Sequence, residues 1–219
     1  MLFPYKYVSH EIEKFQKYLD YLFYNVWCKA RGEFDSNKLS GYPELKRIYE
    51  SLGNDDGDWA YFFNSHIENI YREFLKIKKK DRNLLKKWYK INNRVEVLFA
   101  HKNMRPISYD ILKKRFPELH DLFKGFYSRL YGNTSPFILA AFGNLNRIKE
   151  NHYKEFFDEN FDGHEGICPF CGLHTIKGND HTKLEAYDHL LPKGTYPFNS
   201  INFKNLAPTC NECNSSYKL

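Results

Sequence analysis

The sequence predicts an α+β chain that is mostly α: a helical domain over residues 1–158, then a small metal-stapled module over residues 165–219. Three observations carry this. Apolar residues recur at spacings of three and four through most of the N-terminal part, the period of an amphipathic helix. Four of the five cysteines fall near the C-terminus as two C-x-x-C pairs, Cys168 with Cys171 and Cys210 with Cys213. An acidic stretch, Asp158 to Gly163, lies between the two parts.

Taken in order, residues 9–31 read as a helix: Ser9 is a cap, Ile12, Phe15, Leu19, Leu22, Phe23 and Val26 form the apolar face, and Gly32 is the stop. A polar loop runs from Gly32 to Gly41. Pro43 suits the first turn of a helix ending near Leu52. Residues 53–57 are a turn, and Asp58 caps a long helix that turns Phe62, Ile67, Ile70, Tyr71 and Phe74 inward. The next helix, 81–92, is expected to bury Leu84, Leu85, Trp88 and Ile91. Val95–Phe99 reads equally as strand or helix. Ser108 caps a short helix that stops before Pro117, which begins another running to Tyr131. Ser135 and Pro136 repeat the cap-then-proline signal, Gly143 interrupts, and a last helix covers 145–158.

The net charge is +6. Residues 151–219 hold six Lys, no Arg and nine Asp/Glu, a balance of −3, so the rest carries +9. A nucleic-acid partner would have to be gripped mainly by the N-terminal part, a missing tail or another subunit. The densest positive run includes Lys78, Lys79, Lys80 and Arg82 and continues through Lys86 and Lys90; it is a candidate nucleic-acid patch or a solvated helix face. No apolar run reaches the roughly 18 residues of a membrane span, and Met1–Lys6 lacks a signal peptide's apolar segment. The expectation is a soluble, cytoplasmic protein without a membrane partner. Cysteine usage agrees: four paired ligands and a leftover Cys28 suit zinc in a reducing compartment.

The two pairs suit a closed tetrahedral zinc site, structural because four thiolates leave no open position. Between them lie Asp188 and His189, then Asn205; Asn214 follows Cys213. A histidine can serve as a general base at neutral pH. Aspartate and asparagine oxygens suit Mg²⁺, and an Asn near a base can orient its ring.

Cys168, Cys171, Asp188, His189, Pro192, Lys193, Asn205, Leu206, Pro208, Cys210, Cys213, Asn214 and Lys218 follow the pattern C-x-x-C, D-H-x-x-P-K, N-L-x-P-x-C-x-x-C-N, then Lys. The stretch 165–219 thus resembles the cysteine-framed HNH nucleases. The resemblance implies a ββα-metal module with strands near 187–192 and 201–206 and a helix from 211. It implies that Asp188 and Asn214 bind a catalytic Mg²⁺ or Mn²⁺, that His189 activates water, and that Asn205 orients His189. Lys193 and Lys218 are candidate phosphate contacts, with plain solvation as the equal alternative. Two departures stand out: the last Lys lies four residues after Asn214, where many members have it at three, and the chain stops at Leu219 inside the expected helix. The latter suggests a C-terminus cut back from that of natural members.

The implied function is metal-dependent hydrolysis of DNA phosphodiesters. Small members with a helical N-terminal part resemble effector nucleases of restriction or anti-phage defence, often encoded beside an ATPase, so an ATPase or other subunit is a candidate partner. The alternative is a non-catalytic, zinc-stapled nucleic-acid-binding or scaffolding subunit.

Overall fold

Phe15, Tyr18 and Leu19 are fully buried on one face of α1 (Glu13–Tyr21), and the chain continues into a π-helical turn, Leu22–Trp27, that buries Phe23 and Trp27. The computed structural model describes residues 5–11, 13–53, 58–130, 140–141 and 143–216; Ile12, the expected turn at 54–57, the helix end at Tyr131, the helix start at Ser135 and Pro136, and Lys218 lie outside them. The π turn is seen in the i→i−5 bond from the Cys28 N–H to the Phe23 carbonyl, 3.0 Å. The helix expected to reach residue 31 ends here instead. Arg82 reaches across and donates to the carbonyls of Cys28 (3.4 Å) and Ala30 (3.0 Å), holding them away from a helical ladder.

A short 3₁₀ turn (Ser36–Leu39), capped by Asp35, leads to α2 (Pro43–Gly53). The long α3 (Asp58–Lys76) packs on it with Ile67, Ile70, Tyr71 and Phe74 inside. Phe63 takes the core position expected of Phe62; the half-buried Phe62 ring carries the Arg129 guanidinium at 4.1 Å. In α4 (Lys79–Asn93) the buried face is Leu85, Tyr89 and Asn92, a rotation from the apolar stripe of Leu84, Trp88 and Ile91. Tyr89 wins because its ring stacks on Phe23 at 4.0 Å while its hydroxyl still reaches Asp20 at 2.7 Å. Burial of a tyrosine is cheap when the hydroxyl keeps a partner.

Val95–Ala100 resolves as helix, α5. Ser108 caps α6 (Tyr109–Arg115) as expected, and Pro117 opens α7 (Pro117–Leu130). Asn144 caps α8 (Leu145–Phe161), accepting from the N–H groups of Asn146 and Arg147. This helix runs three residues past its expected end and stops at Asp162, which adopts the left-handed conformation (φ 51°) followed by Gly163.

The C-terminal part adds two antiparallel pairs. β1 (Gly166–Ile167) pairs with β2 (Thr175–Ile176), and β3 (Tyr187–His189) with β4 (Leu206–Pro208), in the register Asp188 opposite Ala207 and His189 opposite Leu206. The second strand was expected at 201–206. Asn202 displaces it: its side chain accepts from the Lys204 N–H and its carbonyl from the Asn205 N–H, winding 203–205 into a 3₁₀ turn. A short helix, α9 (Asn211–Ser215), follows.

The two expected parts share their packing. Phe198, Ile201, Phe203 and Leu206 belong to the same core as α1, α3, α4 and α7. The cysteines form a second core with Tyr153, Phe156 and Phe157 of α8.

Candidate functional site

The first knuckle is built by β1 and β2. The Cys168 N–H donates to the His174 carbonyl at 2.8 Å, and the Gly172 N–H to the Cys168 carbonyl at 2.8 Å. Gly172 closes the turn at φ 65°, a conformation that costs glycine little. The second knuckle comes from β4 running straight into α9. The Cys210 N–H donates to the Cys168 sulfur at 3.4 Å, and the Cys213 N–H to the Cys210 sulfur at 3.5 Å.

All four sulfurs lie within 4.8 Å of one another. Cys171 and Cys210 Sγ are 3.8 Å apart, far beyond a disulfide bond. A tetrahedron with a zinc–sulfur distance of about 2.3 Å has an edge of about 3.8 Å. The donor set therefore fits a zinc ion held by Cys168, Cys171, Cys210 and Cys213. The electrostatics ask for such an ion. Burial tends to raise the Cys171 thiol, but the N–H groups of His174 and Leu173 and the neighbouring thiols outweigh it and bring it down to about 6. Burial pushes Cys213 up to about 11 and Cys210 well above the ordinary thiol range. Four sulfurs this close do not all ionise without a cation among them.

The second pair of strands carries Asp188 and His189 side by side. Its ladder is extended at one end by the Thr209 N–H to the Ala186 carbonyl (3.1 Å) and at the other by the Leu190 N–H to the Asn205 carbonyl (2.9 Å). Asp188 and His189 are both buried, 5% and 7% exposed. Asp188 Oδ1 accepts from the His189 N–H at 2.7 Å. The His189 ring nitrogen Nε2 lies 2.8 Å from the Ser200 carbonyl oxygen. A carbonyl only accepts, so Nε2 carries a proton, and in the neutral form of the ring the lone pair belongs to Nδ1.

Asn205 takes a different position from the one expected. Its Oδ1 accepts from the Leu191 N–H (2.7 Å), and its Nδ2 donates to the carbonyls of Leu191 (3.0 Å) and Asn199 (3.3 Å). The amide thus clamps both ends of the loop after His189, and the ring's orienting partner is Ser200. Asn214 sits in the last turn of α9, its N–H on the Cys210 carbonyl at 3.1 Å. The second cysteine knuckle therefore fixes the helix that carries it.

Residues invisible to sequence reasoning hold the loop. Phe198 has φ 81° and is fully buried, its ring 5.2 Å from Phe123 and 5.6 Å from Phe23. A bulky residue in that backbone region is strained and persists only where packing demands it. Ser200 Oγ donates to the Tyr127 carbonyl of α7 at 2.8 Å. Asn92 of α4 donates to the Pro197 carbonyl at 3.0 Å. The apolar cluster Tyr196, Pro197, Phe198 and Ile201 within the loop was the one available signal; Ser200 acts through its backbone, which no side-chain pattern reports.

Lys193 is exposed. It lies near Lys149 of α8, whose ammonium is held below the ordinary lysine range by burial and then by the charge of Lys193. In the basic run, Lys78, Lys79 and Lys80 are exposed. Arg82 differs: its Nε donates to the Ile77 carbonyl at 3.0 Å in addition to the two carbonyls at residues 28 and 30. Its first role is to tie α4 to the end of the opening helix. No described helix is long and apolar enough to cross a membrane. No family model, curated protein or solved structure matches this chain.

Proposed function

We propose that the C-terminal module is a metal-dependent nuclease of the HNH type, acting on phosphodiester bonds of DNA. The observation that carries this reading is the pair Asp188–His189, with Nε2 of His189 held by the Ser200 carbonyl. A general base needs a defined lone pair and a ring that does not rotate. The Ser200 carbonyl fixes the ring through Nε2, and Nδ1 of the neutral ring is the nitrogen that would take a proton from water. Asp188, the residue before His189, offers carboxylate oxygen, and Asn214 lies on a helix held at its start by Cys210. Together they are the residues that would hold Mg²⁺ or Mn²⁺. When bound, that ion would supply positive charge against the charge developing on the phosphate and leaving oxygen. Lys193, exposed and close enough to Lys149 for its charge to be felt there, would attract the phosphate.

A role in restriction or anti-phage defence, with an ATPase or other partner subunit, rests on the sequence resemblance alone. The test of the activity is nicking of supercoiled plasmid with Mg²⁺ by wild type and by His189→Ala. Loss of a general base lowers the rate about 10²–10⁴-fold. His189→Ala should do this while the zinc content and helical circular dichroism stay as in wild type. Equal nicking by the two proteins would remove the assignment and leave the zinc-stapled binding or scaffolding subunit.

A further inference from the structure

A second site is built at the opposite end of α4 from the loop that Asn92 holds. A cavity of about 610 Å³ opens between residues 28–31 and the first turns of α4. Five of its nine lining residues are cationic, namely Lys29, Arg31, Lys79, Arg82 and Lys86, and none is acidic. None of the five forms an ion pair with a carboxylate among the described residues. Its walls are cross-linked. Arg82 joins the Ile77 carbonyl to those of Cys28 and Ala30. Tyr71 brackets Arg31, its hydroxyl donating to the Arg31 carbonyl at 2.8 Å and accepting from the Arg31 N–H at 3.0 Å. The Arg82 Nη2 has no hydrogen-bond partner among the described residues. The first turn of α4 also lacks a side-chain cap, since Lys78 makes none.

We propose that this cavity binds a compact polyanion carrying two or more phosphates, a tripolyphosphate or the phosphate chain of a nucleotide. Five like charges in one concavity repel one another, and a bound anion relieves that repulsion. Phosphate suits the set: a guanidinium offers a planar fork of donors, lysines give mobile point charges, and uncapped helical N–H groups point at an anion. The volume lies in the range of small-ligand sites. The lining contains no aromatic ring, so the stacking platform expected of a single-stranded nucleic-acid track is missing. This site is separate from the Asp188–His189 hairpin, since α4 is 15 residues long and puts about 20 Å between its two ends.

The experiment measures binding of sodium tripolyphosphate, ATP and a short DNA duplex by calorimetry, together with the melting temperature at each ligand concentration. Wild type should bind tripolyphosphate and ATP and melt higher with rising ligand. Lys79→Gln/Lys86→Gln should melt no lower than wild type without ligand, because repulsion is removed, yet bind both at least tenfold more weakly. Lys113→Gln/Lys114→Gln, which removes equal charge elsewhere, should bind them like wild type. Three results overturn the proposal: no binding of either small anion by wild type, equal weakening by both double variants, or an effect of Lys79→Gln/Lys86→Gln on duplex affinity alone. The last would make the cavity part of a nucleic-acid surface. None of these readouts depends on nuclease activity.

Discussion

His189 and Ser200 are bound to each other through ring nitrogen and carbonyl at 2.8 Å, and Ser200 is in turn bound to Tyr127 of α7 at 2.8 Å. The orientation of the proposed base is therefore set by the helical part of the chain. Phe198, two residues earlier, is the anchor: its ring sits among Phe23, Phe123 and Tyr127 and holds the loop in a backbone conformation it would otherwise avoid.

Ser200→Ala removes the link to α7 and leaves the carbonyl in place. Cleavage should fall by about tenfold, the lower end for loss of a partner that orients a functional group. The pH–rate profile should change as well, because the preferred ring tautomer is less firmly imposed. A merely structural serine would lower the melting temperature and leave the shape of that profile unaltered. Phe198→Ala should be worse, costing about 3–5 kcal/mol of stability as a core cavity opens.

Metal removal should open the cysteine core selectively and leave the larger core, which Phe198 and Leu206 share with the helices, in place. Purified protein is expected to hold about one zinc per chain. A strong chelator, or Cys168→Ser or Cys213→Ser, should expose Tyr153 and Phe157, which pack on the cysteines, because metal-binding energy is folding energy there. Limited proteolysis reads this as new cleavage around β1 and β2, between about residues 160 and 185, while α1–α7 and the loop at 198–206, which share one core, stay protected. Zinc-free protein with wild-type protection would contradict the site.

Asn205→Leu should destabilise the fold by about 2–4 kcal/mol, because it strands the buried Leu191 N–H and carbonyl groups that the amide satisfies. Urea midpoints give the measurement. If Asn205 acted mainly on the His189 ring, stability would hold and only the rate would drop.

Stability should also depend on pH through His152. This histidine is 2% exposed, with Nδ1 2.6 Å from the Tyr187 hydroxyl and Nε2 3.3 Å from the Val8 carbonyl. Burial lowers its pKa to about 4, and the neighbouring His10 adds to that; the Val8 carbonyl and Glu13 oppose it. A depressed histidine pKa means the unfolded chain binds the extra proton first. The stabilising contribution is complete above the unfolded value near 6.5 and is lost as the pH falls toward 4. The loss is at most about 3.5 kcal/mol, from about 1.4 kcal/mol per pKa unit. His152→Phe should flatten the stability curve between pH 4 and 6.5; an unchanged slope would mean other groups set it.

The sequence by itself determined the helical period of the N-terminal part, the caps at Ser108 and Pro117, and the cysteine quartet. Each depends on residues a few positions apart, where local sterics and hydrogen bonds decide the outcome. It also placed Asp188 and His189 consecutively in β3, where the Asp188 carboxylate accepts from the His189 N–H. Tertiary structure decided what apolar periodicity left ambiguous. Tyr89 displaced Trp88 because its hydroxyl found Asp20, and the opening helix stopped early because Arg82, more than fifty residues away, took its carbonyls. The same holds for the site. Which ring nitrogen of His189 keeps its proton depends on a backbone carbonyl, and that carbonyl's place depends on an aromatic side chain packed in a distant core. Backbone acceptors are identical in every residue, so only the folded chain could select Ser200.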